Sequence, residues 1–171
     1  MRGDSWFAGV DAGATKIRAA LAESDGRIVA RVEGPGVNAA LSGPDAAADA
    51  IASLLRGALR GRTLTGGTLA GAVVGLAGAW APALGTAISR RLRVLLECRR
   101  VIVRNDAVAM LEGLAPRAHA VLLSVGTGAV AVGRTRNGRL VRADGWGPLA
   151  GDAGSGFWIG RRALEAALAA Y

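Results

Sequence analysis

One pattern occurs twice in this chain of 171 residues, and it constrains the fold more than any other feature. An apolar strand leads into a glycine–threonine turn, a second strand follows, and an Asx-Gly turn leads into a third strand. The Asx-Gly turns are Asp25-Gly26 and Asn137-Gly138. Because glycine after Asp or Asn accepts positive φ, both dipeptides favour hairpins. The repeat predicts two related antiparallel meanders, each opening one of two facing domains.

Strands and helices alternate between the two copies. Pro44 favours a helix start, with Ser42 as its cap. Apolar runs and periodicity then predict a strand over 70–76, a helix over 82–97, a strand over 101–103 and a helix over 107–114. The second meander is followed by a glycine-rich loop and one helix only. The pattern therefore predicts an α/β protein with a mixed sheet and an incomplete second sheet.

Composition narrows the classes of function. The net charge is +8, but the arginines are scattered and no aromatic residues interleave with them, so no nucleic-acid partner is expected. Cys98 is the only cysteine, which excludes a disulfide framework. No signal peptide and no membrane span are expected, and the cytoplasm is the predicted location.

The two glycine–threonine turns are candidate phosphate sites. In Asp11-Ala12-Gly13-Ala14-Thr15-Lys16 the glycine lets backbone N–H groups approach phosphate oxygens, and the threonine hydroxyl can donate to them. Asp11 can hold Mg²⁺ directly or through water. The second turn is Gly126-Thr127-Gly128. An ordinary hairpin turn explains either one alone, but two at equivalent places suit the two ends of a triphosphate.

Asn105-Asp106 stands where a strand ends and a helix begins. The modest interpretation makes Asp106 the cap of that helix. The sharper one makes it the base that accepts a proton from an attacking hydroxyl, because phosphoryl transfer needs positioning, a metal and one oriented carboxylate. The two phosphate turns favour the base.

The loop 145–156 contains five glycines and two candidate ligand residues. Trp146 can pack on the core or lie beneath a sugar ring. Asp152 can cap the last helix or bind paired sugar hydroxyls. His119, the only histidine, is interpreted as structural.

In order and spacing, the segments 11–16, 105–106, 126–128 and 145–160 resemble the BadF/BadG/BcrA/BcrD ATPase family and its N-acetylglucosamine kinase-like members. The resemblance covers essentially the whole chain. It implies two ribonuclease H-like domains around an ATP cleft, as in the actin, sugar kinase and Hsp70 superfamily. The first domain would span 1–116 and contain the first phosphate motif and the catalytic Asp. The second would begin at 117 and remain incomplete at 171.

The resemblance also implies roles for residues. ATP would be bound by two motifs, and Mg²⁺ by Asp11; the motif residues are Asp11, Gly13, Thr15, Lys16, Gly126, Thr127 and Gly128. Asp106 matches the catalytic base. The implied amino-sugar site comprises Asn38, Asn105, Asp106, Gly145, Trp146 and Asp152. The implied reaction moves the γ-phosphate of ATP to the 6-hydroxyl of N-acetylglucosamine or glucosamine.

Two other functions stay open. The first is an ATPase activator of the other family branch, whose iron–sulfur cluster needs two cysteines per subunit, which Cys98 alone does not supply. The second is a truncated, non-catalytic sugar or nucleotide sensor, because family members run well beyond Tyr171. Ala153 stands where the family often has Glu, which removes one hydroxyl contact. The expected partners are the sugar and ATP, with a homodimer or a complementing C-terminal segment to cover the open sheet.

Overall fold

The computed structural model describes residues 5–60 and 69–171. The chain divides into two compact units, Met1–Ala109 (unit 1) and Met110–Tyr171 (unit 2). The division falls inside a helix, whereas the repeat in the sequence put the domain boundary at 116/117. Among the helices of the described residues, none is both long enough and apolar enough to cross a bilayer.

Unit 1 is built on a five-stranded mixed sheet with the order β3-β2-β1-β4-β5. An antiparallel meander comes first, as predicted, and β4 and β5 then add parallel to β1. The strands are β1 (Trp6–Ala12), β2 (Lys16–Glu23), β3 (Ile28–Pro35), β4 (Leu69–Leu76) and β5 (Arg100–Asn105). Because β1, β4 and β5 are parallel, their carboxyl ends lie at one edge of the sheet.

Three helices follow strands of this sheet: α1 (Ala39–Leu59), α2 (Pro82–Leu95) and α3 (Asp106–Leu114). Gly43 interrupts α1 with φ 80°, so the regular helix begins at Pro44, as predicted. The predicted cap, Ser42, is wrong. Its hydroxyl donates to the Asn38 carbonyl one turn back, because Gly43 turns the chain between Ser42 and the helix.

The core of unit 1 is made of small and aliphatic side chains packed between α1, α2 and one face of the sheet. Alternation along β1 places every second residue in this core. On α1, Ala47, Ala48 and Ala52 are no more than 1% exposed. Alanine at these positions lets the helix backbone lie close to the sheet, which compensates for the scarcity of aromatic residues.

Unit 2 contains the second antiparallel meander and one helix. The strands β6 (Ala120–Val125), β7 (Ala129–Arg134) and β8 (Leu140–Asp144) form a sheet in that order, and α4 (Gly156–Ala169) follows the loop 145–155. Gly26 and Gly138 have φ 89° and 82°, which confirms the hairpin turn predicted in each meander. His119 lies exposed just before β6.

Candidate functional site

In unit 1 the predicted acidic residues lie at the carboxyl edge of the parallel strands. Asp11 pairs with Gly75 of β4, and Asn105 ends β5 opposite Leu76. Asp106 begins α3 at the same edge. A Cβ added to Gly75 would lie 3.3 Å from the Asp106 Cα, so glycine lets the start of α3 lie close against β4. The strand order thus brings Asp11 and Asp106 to one place.

Asn105 is the side chain that caps α3. It is 4% exposed, and its Oδ1 accepts the backbone N–H groups of Ala107 at 3.0 Å and Val108 at 3.4 Å. Asp106 shares in this capping, because its Oδ1 also accepts the Ala107 N–H, at 2.9 Å, but Asn105 binds two of the N–H groups. Because Asn105 caps the first turn of α3, the Asp106 carboxylate is not needed for that purpose.

The pKa of Asp106 is raised above its ordinary value of 3.8. Burial is the largest cause, because it removes water from the charged form, and the nearby negative charge of Asp11 adds to it. The Ala107 N–H acts in the opposite direction. A carboxylate in this state is a better proton acceptor than an exposed Asp, which is what a general base requires.

The first glycine–threonine turn is closed on itself and held by the segment after β3. The Gly13 N–H donates to the Lys16 carbonyl at 3.0 Å. Gly36 donates to the Thr15 carbonyl at 3.2 Å, and Val37 donates to the Gly13 carbonyl at 2.9 Å. Thr15 is left exposed at the tip of the turn. Asn38 follows directly, so the predicted sugar residue lies beside the predicted phosphate turn.

Gly36 and Lys16 lie around this turn, and the structure shows how each is placed. A Cβ on Gly36 would collide with the backbone between Ala14 and Lys16, so glycine is needed for the approach. The Lys16 ammonium lies 3.7 Å from Glu33, and the side chain is 44% exposed. Lys16 is thus on the strand next to the turn, in an ion pair that solvent screens.

In unit 2 the second turn and the glycine-rich loop come together. The Gly126 N–H donates to the Gly128 carbonyl at 2.8 Å, and the carbonyls of Gly126 and Thr127 accept the N–H groups of Gly156 (2.8 Å) and Phe157 (3.4 Å) at the start of α4. A Cβ on Gly128 would lie 2.6 Å from Asp152 Oδ2. The structure therefore brings the predicted phosphate turn and Asp152 into contact.

Asp152 is 9% exposed, and its Oδ1 accepts the Gly147 N–H at 3.2 Å. Asp152 does not cap α4. Ser155 does, because its hydroxyl oxygen accepts the Trp158 N–H at 3.1 Å. Ser155 is fully buried, and sequence reasoning overlooked it although serine just before an apolar run is an ordinary cap signal.

Asp144 is the second residue that sequence reasoning overlooked. Its Oδ1 accepts the N–H groups of Gly145 at 2.7 Å and Asp152 at 2.6 Å, and its Oδ2 accepts that of Ala153 at 2.9 Å. These hydrogen bonds lower the pKa of Asp144 below 3.8. Asp152 and Ala153 lie eight and nine residues after Asp144, so no local motif points to this arrangement.

Trp146 does not pack into a core, since 67% of its surface is exposed. The guanidinium carbon of Arg142 lies 3.7 Å from the centroid of its ring, a cation–π distance. Arg142 thereby restricts the orientation of the indole, which is a requirement for an aromatic platform.

Two negative findings concern the described residues. A cavity of about 550 Å³ between β2, β3 and α1 is lined mainly by apolar side chains and glycines and contains none of the predicted site residues. Within residues 5–60 and 69–171, no three His, Cys, Asp or Glu side chains cluster as metal ligands. Mg²⁺ commonly uses only one or two protein carboxylates together with substrate phosphates, so Asp11 at the strand edge remains compatible with it.

The geometry defines the class of protein: an α/β fold of the ribonuclease H-like, actin-like ATPase type. The chain belongs to the BadF/BadG/BcrA/BcrD ATPase family, whose model matches residues 8–171. A proposed N-acetylglucosamine kinase from Chromobacterium violaceum superposes with a TM-score of 0.77 at 26% identity, over 94% of this chain and 55% of that one. A second, from Porphyromonas gingivalis, gives 0.80 at 21% identity, over 96% and 56%, and supports the fold alone.

Curated relatives are similar in sequence. The N-acetyl-D-glucosamine kinase of Dictyostelium discoideum is 32% identical over 173 aligned residues, which cover 96% of this chain and 54% of the relative. The N-acetylmuramic acid/N-acetylglucosamine kinase of Clostridium acetobutylicum is 37% identical over 98 residues, covering 57% and 32%. The chain thus spans about half the length, or less, of these curated relatives.

Proposed function

We propose that this chain is the ATP-binding and sugar-binding part of a kinase that phosphorylates the 6-hydroxyl of an amino sugar, N-acetylglucosamine or glucosamine. The observation that carries the proposal is the placement of Asp106 beside Asp11 at the carboxyl edge of β1, β4 and β5, with a raised pKa. Catalytic groups in open α/β sheets lie outside the carboxyl ends of strands. The kinases among the relatives support the same reaction class.

In this proposal Asp106 accepts the proton of the sugar hydroxyl. The hydroxyl oxygen forms a bond to the γ-phosphorus while the bond from that phosphorus to the bridging oxygen breaks, leaving ADP. Asn105 fixes the start of α3 and hence the Asp106 backbone. Since the reaction needs little covalent chemistry from the protein, orientation of this carboxylate is the main contribution of unit 1.

The turns supply the proposed phosphate contacts. The amides of Gly13 and Gly126 are already bonded within their turns, so we assign phosphate binding to the remaining turn residues, among them Thr15, Thr127 and Gly128. Bound Mg²⁺ would neutralise phosphate charge, and Asp11 would hold it. Because ATP is an intracellular substrate, the proposal places the protein in the cytoplasm.

Each unit contains residues that we propose for sugar binding. Asn38 and Asp106 belong to unit 1, and Gly145, Trp146 and Asp152 belong to unit 2. We assign Trp146 to the apolar face of the sugar ring because its indole is exposed and oriented by Arg142. Asp152 is largely buried, so its proposed contact with a sugar hydroxyl uses an oxygen that also faces Gly128.

Coupled ADP release over a panel of sugars tests the proposal, with N-acetylglucosamine and glucosamine expected to give turnover. Asp106→Asn is expected to lower kcat by about a hundredfold or more and to leave ATP binding nearly intact. Glu112→Gln is the matched control, because Glu112 is an exposed acid on the same helix. Sugar binding without turnover would favour the non-catalytic sensor, and absence of both would contradict the proposal.

A further inference from the structure

Asp144 has a backbone conformation that is uncommon for its residue type. Its φ is 62°, in the left-handed region that glycine adopts most readily. Aspartate is among the few other residues found there, because its short side chain can bond to nearby backbone groups. Such a conformation persists when its surroundings determine it, and it often marks a functional position.

The surroundings of the Asp144 carboxylate are the backbone of the glycine-rich loop. Both oxygens accept N–H groups, from Gly145 at one end of the loop and from Asp152 and Ala153 at the other. Bonds from neutral donors to a charged acceptor are stronger than neutral pairs. One side chain therefore ties the two ends of the loop together.

Gly151 shows how closely the loop surrounds this carboxylate. A Cβ on Gly151 would collide with Asp144 Oδ1 and would lie 3.2 Å from the Trp146 Cβ. Asp144 and Trp146 thus face the same small residue. A loop packed this closely around one carboxylate changes shape when the carboxylate is removed.

We propose that Asp144 is a positioning residue for sugar recognition, which holds Trp146 and Asp152 in place through its hydrogen bonds to the loop backbone. This inference rests on the proposed function, because it assumes that Trp146 and Asp152 contact the sugar. Asp152 takes part in two of the hydrogen bonds in this loop. Its N–H donates to Asp144, and its own carboxylate accepts the Gly147 N–H. Four backbone N–H groups between Asp144 and Ala153 are therefore held by these two carboxylates.

Two substitutions separate this role from a general loss of stability. Asp144→Gly removes the acceptor and also relieves the positive φ, so the backbone can keep its path. Asp144→Asn keeps size and φ tolerance but offers a single acceptor oxygen, which leaves one N–H facing an amide donor. Asp25→Asn is the matched control, because Asp25 also accepts a backbone N–H (from Arg27, at 2.8 Å) in an exposed hairpin turn of unit 1.

The experiment measures N-acetylglucosamine and glucosamine binding by calorimetry on the 171-residue chain, with tryptophan emission and amide hydrogen exchange recorded on the same samples. We expect Asp144→Gly to raise the sugar Kd about tenfold or more and Asp144→Asn to raise it less. The amides of Asp152 and Ala153 should exchange faster in both variants. Asp25→Asn should match the wild type.

Each other result has a distinct meaning. Faster exchange at Asp152 and Ala153 with unchanged sugar affinity would overturn the role of Asp144 and leave the proposed function standing. Unchanged exchange would show that the carboxylate does not hold the loop, which also overturns the role. Failure of the wild-type chain to bind either sugar would overturn the proposed function, and the sugar role of Asp144 with it.

Discussion

The turn between β1 and β2 and the turn between β6 and β7 occupy the same place in their meanders, yet different segments hold them. In unit 1, Gly36 and Val37 follow β3 immediately and donate to the carbonyls of Thr15 and Gly13. In unit 2 the equivalent donors are Gly156 and Phe157, which the chain reaches only after the loop 145–155.

The two turns therefore depend on different parts of the chain for their position. The first turn is held by a glycine so close to it that no side chain fits between them. The second turn is held by a helix start whose position depends on a loop, and that loop depends on Asp144 and Asp152. The two meanders therefore share the position of the turn, whereas only the second has a long loop, which contains the proposed sugar residues Trp146 and Asp152, between its third strand and the segment that holds the turn.

The largest effect is expected from Gly36→Ala. The added Cβ would collide with the backbone from Ala14 to Lys16, which cannot move away as a flexible side chain could. Urea unfolding should show a loss of about 3 kcal/mol in the free energy of unfolding. The control is Gly57→Ala on α1, where a Cβ meets nothing within 4 Å and a small gain is expected. Equal stability of the two variants would contradict the close contact between Gly36 and the backbone of the first turn.

Gly128→Ala tests the second turn. Its Cβ would lie 2.6 Å from Asp152 Oδ2, a side-chain atom that can shift at the expense of its bond to the Gly147 N–H. We therefore expect a smaller loss than at Gly36, about 2 kcal/mol. Gly126→Ala in the same turn is the control, because a Cβ there meets nothing within 4 Å. A larger loss at Gly128 than at Gly36 would reverse the comparison.

Ser155→Ala removes the cap of the helix that holds the second turn. The lost bond to the Trp158 N–H should lower the free energy of unfolding by about 1 kcal/mol. Hydrogen exchange should show faster opening at Gly156 and Phe157, which donate to the turn. Ser53→Ala, at an exposed site inside α1, serves as the control; it should not lower the free energy of unfolding and should leave exchange at Gly156 and Phe157 unchanged.

The smallest effects concern pH, and the two units should respond with opposite signs. The raised pKa of Asp106 means that its contribution is most favourable below pH 3.8 and is lost as pH rises through its folded value, so Asp106→Asn should gain stability relative to wild type over that rise. The lowered pKa of Asp144 gives stability that is present above pH 3.8 and lost as pH falls through its folded value. Asp144→Asn should therefore approach the wild type in acid.

Thermal unfolding between pH 3 and pH 7 in metal-free buffer, on wild type and both variants, measures these two trends. For each variant, the difference in unfolding temperature from wild type is followed against pH. If this difference changed in the same direction for Asp106→Asn and Asp144→Asn, the assigned environments of the two carboxylates would be contradicted. Asp25→Asn serves again as the reference for an exposed aspartate.

The sequence was sufficient for features that depend on neighbouring residues. Both Asx-Gly turns and the start of the long helix at Pro44 follow from local chemistry, and the structure confirms them. The family and the fold class are confirmed by the comparisons. These features need no knowledge of what lies across the sheet.

Features that depend on the folded path of the backbone could not be predicted in this way. Ser42 was expected to cap α1 because the rule counts positions before Pro44, but the backbone at Gly43 turns it away. The role of Asp144 depends on amides that only the folded loop brings near it. Asn105 was expected at the sugar site, and its capping of α3 became visible only from its buried oxygen.

The buried alanines of α1 limit which substitutions this sequence can accumulate during evolution. Ala47, Ala48 and Ala52 are no more than 1% exposed, so a larger side chain at any of these positions would have to displace its neighbours in the core or push the helix from the sheet. Because α1 begins just after the segment that holds the first turn, such a shift would reach Thr15 and Asn38 without altering either residue. Mutational scans should therefore find these alanines intolerant of enlargement although none of them is a residue of the proposed site.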